Sequence, residues 1–166
     1  MRPDLQQAFA ARVTEASYEA FLRSLDNAVG MHIEYRVCEM PVFVSNAFRR
    51  VLESSAVEII QQCVSPENML RSAHTLEPRY TVLNEDAHPL FSVVDFAVTQ
   101  NEDGSFHPKL IELQGFPSLF GYQYLFARGI IDAYNIEGAS LFFGSINDAE
   151  YLDLLRRAIY AGVDPP

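Results

Sequence analysis

The chain of 166 residues has no tryptophan, two cysteines and no basic run, since 12 Lys and Arg stand against 22 Asp and Glu. A net charge of −10 with no cationic cluster argues against nucleic acid or an anionic membrane as the main partner. An anionic ligand would need local positive charge or a metal. Cys38 and Cys63 stand apart from each other and from every histidine, so partly buried, reduced thiols are expected rather than a disulfide or a metal pair. No apolar run approaches membrane-spanning length, and Met1-Arg2-Pro3-Asp4 leads into a polar helix rather than a signal peptide. The expected address is the cytoplasm, with no membrane partner. Neither GxGxxG nor GxxxxGK[ST] occurs, nor does GxSxG, so no phosphate-binding loop or nucleophile elbow is present. His32, His74, His88 and His107 lack metal-ligand spacing and read as loop residues.

What the chain does have is aromatic and aliphatic mass: 8 Tyr, 12 Phe and 49% apolar residues, enough for one domain and its core. Pro3 can open a helix whose apolar positions Leu5, Phe9, Val13, Ala16 and Ala20 recur at helical spacing toward a stop at Gly30. Ser45 can cap a second helix with the face Phe48, Val51, Leu52, Ile59 and Cys63. Ser65-Pro66-Glu67 starts a third, running to about Leu76, and Glu77–Pro89 reads as loop. Ser118 can cap a fourth through Ala133, Leu141–Phe143 suits a short strand, and Asn147 or Asp148 opens a last helix ending before Gly162.

The most informative stretch is Phe91–Gly121. Phe91–Thr99 reads as one strand, Asn101-Glu102-Asp103-Gly104 as turn chemistry and Lys109–Gln114 as a second strand. A loop centred between Asp103 and Gly104 places Asp95 directly across from Glu112. At ~5 Å and an effective dielectric of ~20, two such carboxylates repel by roughly 3 kcal/mol. A cation, a shared proton or a shifted register would relieve that. Gln114, two residues past Glu112, shares its strand face. Two acids and an amide carbonyl offer hard oxygens of the kind Mg²⁺ takes. The bland alternative is a solvated strand face whose acids meet lysine or water, although Lys109 points away from Glu112 in a regular strand. Gly115-Phe116-Pro117-Ser118 then leads into a helix whose first N–H groups, with the Ser118 hydroxyl, could hold a carboxylate or phosphate. Arg36 and Arg79 are further candidates for an anionic ligand.

The expected fold class is α/β: a helix-rich single domain, residues 1–166, around a small sheet with a central antiparallel hairpin. Two strands make a thin sheet, and the chain stops at Val163-Asp164-Pro165-Pro166 directly after a helix, so it reads as incomplete, the N-terminal piece of something longer.

Val94-Asp95-Phe96, Asp103-Gly104, and Pro108-Lys109-Leu110-Ile111-Glu112-Leu113-Gln114 with the following Ser-Leu pair resemble the N-terminal substrate region of permuted ATP-grasp ligases. The likeness is to the eukaryotic-type glutathione synthetases and glutathionylspermidine synthetases, and it covers about Val94–Gly121. Over nearly its whole length the chain is also similar to the N-terminal part of longer bacterial proteins of unassigned function that carry Glu-[Leu/Met]-Gln-Gly-Phe-Pro-Ser-Leu. The ligase resemblance implies Mg²⁺ and ATP as cofactors, with Glu112, Gln114 and Asp95 as metal residues. It implies Ser118, Gly115 and Phe116 on the substrate side, and small carboxylate and amine substrates joined through an acyl phosphate. Gln114 stands where the family has Asn, Val93 stands where glutathione synthetases carry an Arg, and later ATP-binding lysines and a Gly-rich lid are absent. The expectation is the substrate-side portion of a carboxylate–amine ligase, inactive alone. The alternative is a non-catalytic binding module for a small molecule or protein, and a homo-oligomer is left open.

Overall fold

Eight elements follow one another along the chain in a computed structural model that describes residues 1–84, 89–116, 119–161 and 163. The fold is α/β and helix-rich, with six α-helices and one antiparallel pair of strands among the described residues. In order these are α1 (Pro3–Ala10), α2 (Glu15–Val29), α3 (Asn46–Cys63), α4 (Pro66–Ala73), β1 (Val93–Gln100), β2 (Phe106–Gln114), α5 (Phe120–Tyr134) and α6 (Asp148–Tyr160). A 3-10 turn at Pro78–Tyr80 lies in the stretch expected as loop. Among the described residues no helix is long and apolar enough to cross a membrane.

The chain divides into two compact units, one of Met1–Ser45 with Ser118–Pro166 and the other of Asn46–Pro117. The described residues of the first are helix and loop. Its core is Phe21, Leu25, Val37 and Ile130, with Tyr18, Phe126 and Tyr134 packed around it. Phe9 is 1% exposed and meets the Tyr134 ring edge-on at 4.9 Å. Burying apolar rings of this size is the main favourable term available to so small a unit.

The single helix expected from Pro3 to Gly30 is two. Thr14 interrupts it: its hydroxyl accepts from Ser17 N at 3.2 Å, and Ser17 Oγ accepts from Thr14 N at 2.9 Å. This reciprocal cap satisfies N–H groups that a fresh helix start would otherwise leave orphaned, so the chain can afford the break. Gly30 ends α2 in the left-handed region at φ 78°. α6 is capped in the same way by Asn147 and Glu150, and it ends at Ala161 in the left-handed region, with Gly162 outside the described residues.

Two further expectations are corrected. Leu141–Phe143 is not a strand. Ser140 Oγ bonds locally to Phe142, and the Phe142 ring packs on Tyr124 and Tyr151, so the backbone has no strand partner. Both cysteines are exposed rather than partly buried, and Cys38 donates its S–H to Met40 O.

The second unit carries the hairpin. α3 packs against β2, where the Phe48 and Phe106 rings meet at 6.2 Å. α4 starts as expected, with Ser65 Oγ accepting from Asn68 N. Cα pairing runs Val93↔Gln114, Val94↔Leu113 and Asp95↔Glu112, then Phe96↔Leu110, Ala97↔Lys109 and on to Gln100↔Phe106. The loop is therefore centred on Asp103, half a residue from the expected position, and β2 starts three residues earlier than expected. Ile111 is the extra residue of a β-bulge. Pro108 is tolerated inside β2 because each strand of a two-stranded sheet has an unpaired side.

The bulge has a sequence cause. Along β2, Phe106, Pro108 and Leu110 alternate with His107 and Lys109, and then Leu110-Ile111 puts two apolar residues in succession. A regular strand would have to turn the second half of that pattern inside out. Leaving Ile111 unpaired, and 65% exposed, restores the alternation. One sheet face then carries Val94, Phe96, Phe106 and Leu110, and the other carries Asp95, Thr99, His107, Lys109, Glu112 and Gln114.

Candidate functional site

Asp95 and Glu112 are direct cross-strand partners on the polar face of the hairpin. Asp95 is half-buried and Glu112 is exposed, so solvent screens their repulsion on one side. Gln114 pairs with Val93 and is thus the diagonal neighbour of Asp95 and the same-face neighbour of Glu112. Its Nε2 donates to Asp95 Oδ2 at 3.4 Å and to Glu112 Oε1. The three predicted metal residues are therefore together. The amide presents its N–H groups to the acids, where a metal would need its oxygen.

Mg²⁺ takes hard oxygen donors. Two carboxylates and an amide supply hard oxygens once the Gln114 amide turns by half a rotation, a motion about a broad sp³–sp² torsion. It is a sparse set. Among the described residues no three His, Cys, Asp or Glu side chains converge on one point, so remaining ligands would be waters or substrate oxygens, the usual company of Mg²⁺.

Lys109 lies where the regular-strand reading did not put it. It stands opposite Ala97, two residues along β1 from Asp95, and hence on the acid face. It is the only lysine in the chain. It is exposed, and no ion pair joins it to another described residue. Arg36 and Arg79, the other candidate anion contacts, are committed locally. Arg36 pairs with Glu39 at 2.8 Å, and Arg79 pairs with Glu77 at 2.9 Å while lying over the Tyr80 ring. The signal that would have found Lys109 is the Leu110-Ile111 break in alternation.

Gly115 and Phe116 follow directly on β2. A Cβ on Gly115 would sit 3.2 Å from Pro89 Cβ, so this glycine permits close packing of the two chain segments that flank the hairpin. Phe116 is 68% exposed. Ser118 lies outside the described residues. The helix it was expected to cap starts at Phe120, with Leu119 in the capping position at φ 63° and no side-chain cap. The α5 N-terminus belongs to the other unit. His107 shares the acid face, and Thr99 Oγ1 donates to His107 O at 3.1 Å. His32 is tied to Asp26 in the first unit, His74 is exposed, and His88 lies outside the described residues. No protein-family model matches the chain, and no curated protein and no solved structure matches it.

Proposed function

We propose that this chain forms the metal-binding, substrate-side portion of an ATP-dependent, Mg²⁺-dependent carboxylate–amine ligase of the ATP-grasp type. The observation that carries this reading is the direct opposition of Asp95 and Glu112 with the Gln114 amide touching both. Two opposed acids on a hairpin are unfavourable without a partner between them. Glu112, Asp95 and the turned Gln114 amide would hold Mg²⁺, which when bound neutralises and orients phosphate oxygens. Glu112 offers its oxygens from the open side of the site, and Asp95 holds its own from the half-buried side. Phe116, with Gly115 behind it, offers an apolar surface to a small carboxylate or amine substrate. The chain carries no phosphate-binding loop of its own, so on this reading it has no activity alone. A cytoplasmic location goes with it.

The test is Mg²⁺-dependent ATP turnover by the full-length protein. E112Q keeps the shape of the side chain and removes the charge, and it should abolish turnover while leaving the fold intact. Wild-type protein that binds no ATP would sink the ligase reading.

A second reading, a non-catalytic binding module, is favoured by one observation. The Gln114 N–H groups satisfy both carboxylates without a metal. On that reading the polar hairpin face binds a small molecule or protein directly, and E112Q changes that binding with no dependence on Mg²⁺.

A further inference from the structure

We infer that the outer edge of β1 takes up an extended strand of a partner protein, with a basic side chain of that strand set against Asp95. The backbone shows which edge is open. Asn101 N donates to Ser105 O where the hairpin loop begins. In an antiparallel ladder the N–H and C=O of one residue point the same way, and the direction alternates along the strand. Thr99, Ala97 and Asp95 therefore turn their backbone groups toward β2, and Val98, Phe96 and Val94 turn theirs outward. No hydrogen bond joins those outward groups to another described residue. β2 is not open in the same way. Pro108 lies opposite Val98, so its missing N–H falls on the outer side of β2. The bulge at Ile111 then breaks that edge, and α3 packs against the strand.

β1 has the make-up of a strand that can gain a neighbour. Val93–Gln100 contains no Pro and no Gly, and a two-stranded sheet is stabilised by a third strand. An incoming strand lays alternate apolar side chains beside Val94, Phe96 and Val98, the last of them 41% exposed, and its other side chains beside Asp95 and Thr99. Asp95 is the one charged side chain of β1. Because its backbone groups face β2, it forms a non-hydrogen-bonded pair with the new strand, the closer of the two pairings at ~4.5 Å between Cα atoms. Glu112 stands on its other side, so the residue set against Asp95 meets two carboxylates. The Gln114 amide reaches both acids but brings no charge. An acidic residue there is repelled, and an Arg or Lys is attracted by both. Charge also decides against a second copy of this chain as the occupant, since each copy carries a net −10 and β1 offers only an acid. The pairing needs no metal at the hairpin and is independent of the ligase reading.

The probe is the acetylated and amidated peptide Thr-Val-Thr-Val-Arg-Val-Thr, added to the whole chain in metal-free buffer. Binding should slow hydrogen exchange at the amides of Phe96 and Val98, which point outward from β1. The same peptide with Glu in place of Arg should bind about tenfold more weakly or worse. D95N should weaken binding of the Arg peptide by about two- to fivefold and bring the two peptides closer together. V98P removes an outward N–H that the ladder with β2 does not use, so it should weaken binding about tenfold or more and melt within a few degrees of wild type. The peptide exchange and D95N read the charge without touching the ladder, so the outcome does not depend on V98P folding. No binding of either peptide, equal binding of both by wild type, or slowed exchange confined to β2 would overturn the inference. So would a folded V98P that binds as wild type does, or a concentration-dependent dimer of the chain that protects the same two amides.

Discussion

Asp95 stands opposite Glu112 across a hairpin whose loop is centred on Asp103, and the two facts are compatible only because Ile111 is left over in β2. Removing Ile111 should therefore leave Asp95 and Glu112 paired and make the ladder regular. The deletion should melt within a few degrees of wild type, because Ile111 is largely exposed and contributes little buried area. Cross-strand contacts in solution should still connect Asp95 with Glu112 and Ala97 with Lys109. A deletion protein in which Asp95 meets Leu113 instead would show that the loop does not set the register.

Gln114→Met removes the donor that bridges both acids and leaves the two carboxylates facing each other. The variant should lose stability at neutral pH by up to about 1 kcal/mol, the net worth of a typical hydrogen bond. Gln114→Glu supplies a third carboxylate and should raise Mg²⁺ affinity while destabilising the metal-free protein. Thermal melts at pH 7, with and without Mg²⁺, check both.

Gly129 lets α5 lie close against α2. A Cβ there would meet Leu25 Cδ2 at 3.1 Å and Phe21 Cε2 at 3.3 Å, and both residues are buried. Gly129→Ala gains up to ~1 kcal/mol in helix propensity. Overpacking costs ~1–3 kcal/mol, so the net effect should be destabilising. Denaturant unfolding should show a lower midpoint with an unchanged slope.

Asp26 ties the turn after α2 in place. Oδ1 accepts from Ile33 N and Oδ2 meets His32 Nδ1, each at 2.9 Å. The His32 ring first, and then the Ile33 N–H, lower the Asp26 carboxyl below its ordinary 3.8, while the hydrogen bond to Asp26 raises His32 above 6.5. The aspartate contribution is present above pH ~4 and fades as pH falls through its lowered value. The histidine contribution is whole below pH ~6.5 and is lost as pH rises through the raised value. Stability from this pair should therefore be greatest between those limits and decline through neutrality. His32→Gln should flatten the slope on the alkaline side in melts from pH 5.5 to 8.5. Because the His32 side chain is 80% exposed, the effect should be small.

Much of the fold is legible in the sequence wherever a local signal has a mechanism. Ser65 and Asn147 cap α4 and α6 where their chemistry placed them, and Gly30 stops α2. The turn residues place the loop to within half a residue, and the bulge at Ile111 then brings Asp95 opposite Glu112. The break at Thr14 was hidden because apolar spacing continues across it, and periodicity cannot register a cap formed by two hydroxyl residues. Lys109 was misplaced for a related reason. Alternation counted back from Glu112 puts it on the opposite face, because a bulge changes the phase of a strand without changing its composition. The donor role of Gln114 depends on which way an amide turns, which residue type and spacing do not fix.

The proposed site requires cation binding at the hairpin. Titration of the metal-free chain with Mg²⁺, or with Mn²⁺ read by its paramagnetic effect on nearby nuclei, should show one site with the largest broadening at Asp95, Glu112 and Gln114. E112Q should weaken that binding at least tenfold with no loss of thermal stability, since a hard dication depends on anionic oxygens whereas the fold loses only a repulsion. Equal affinity in wild type and E112Q, or broadening centred elsewhere on the chain, would contradict the account.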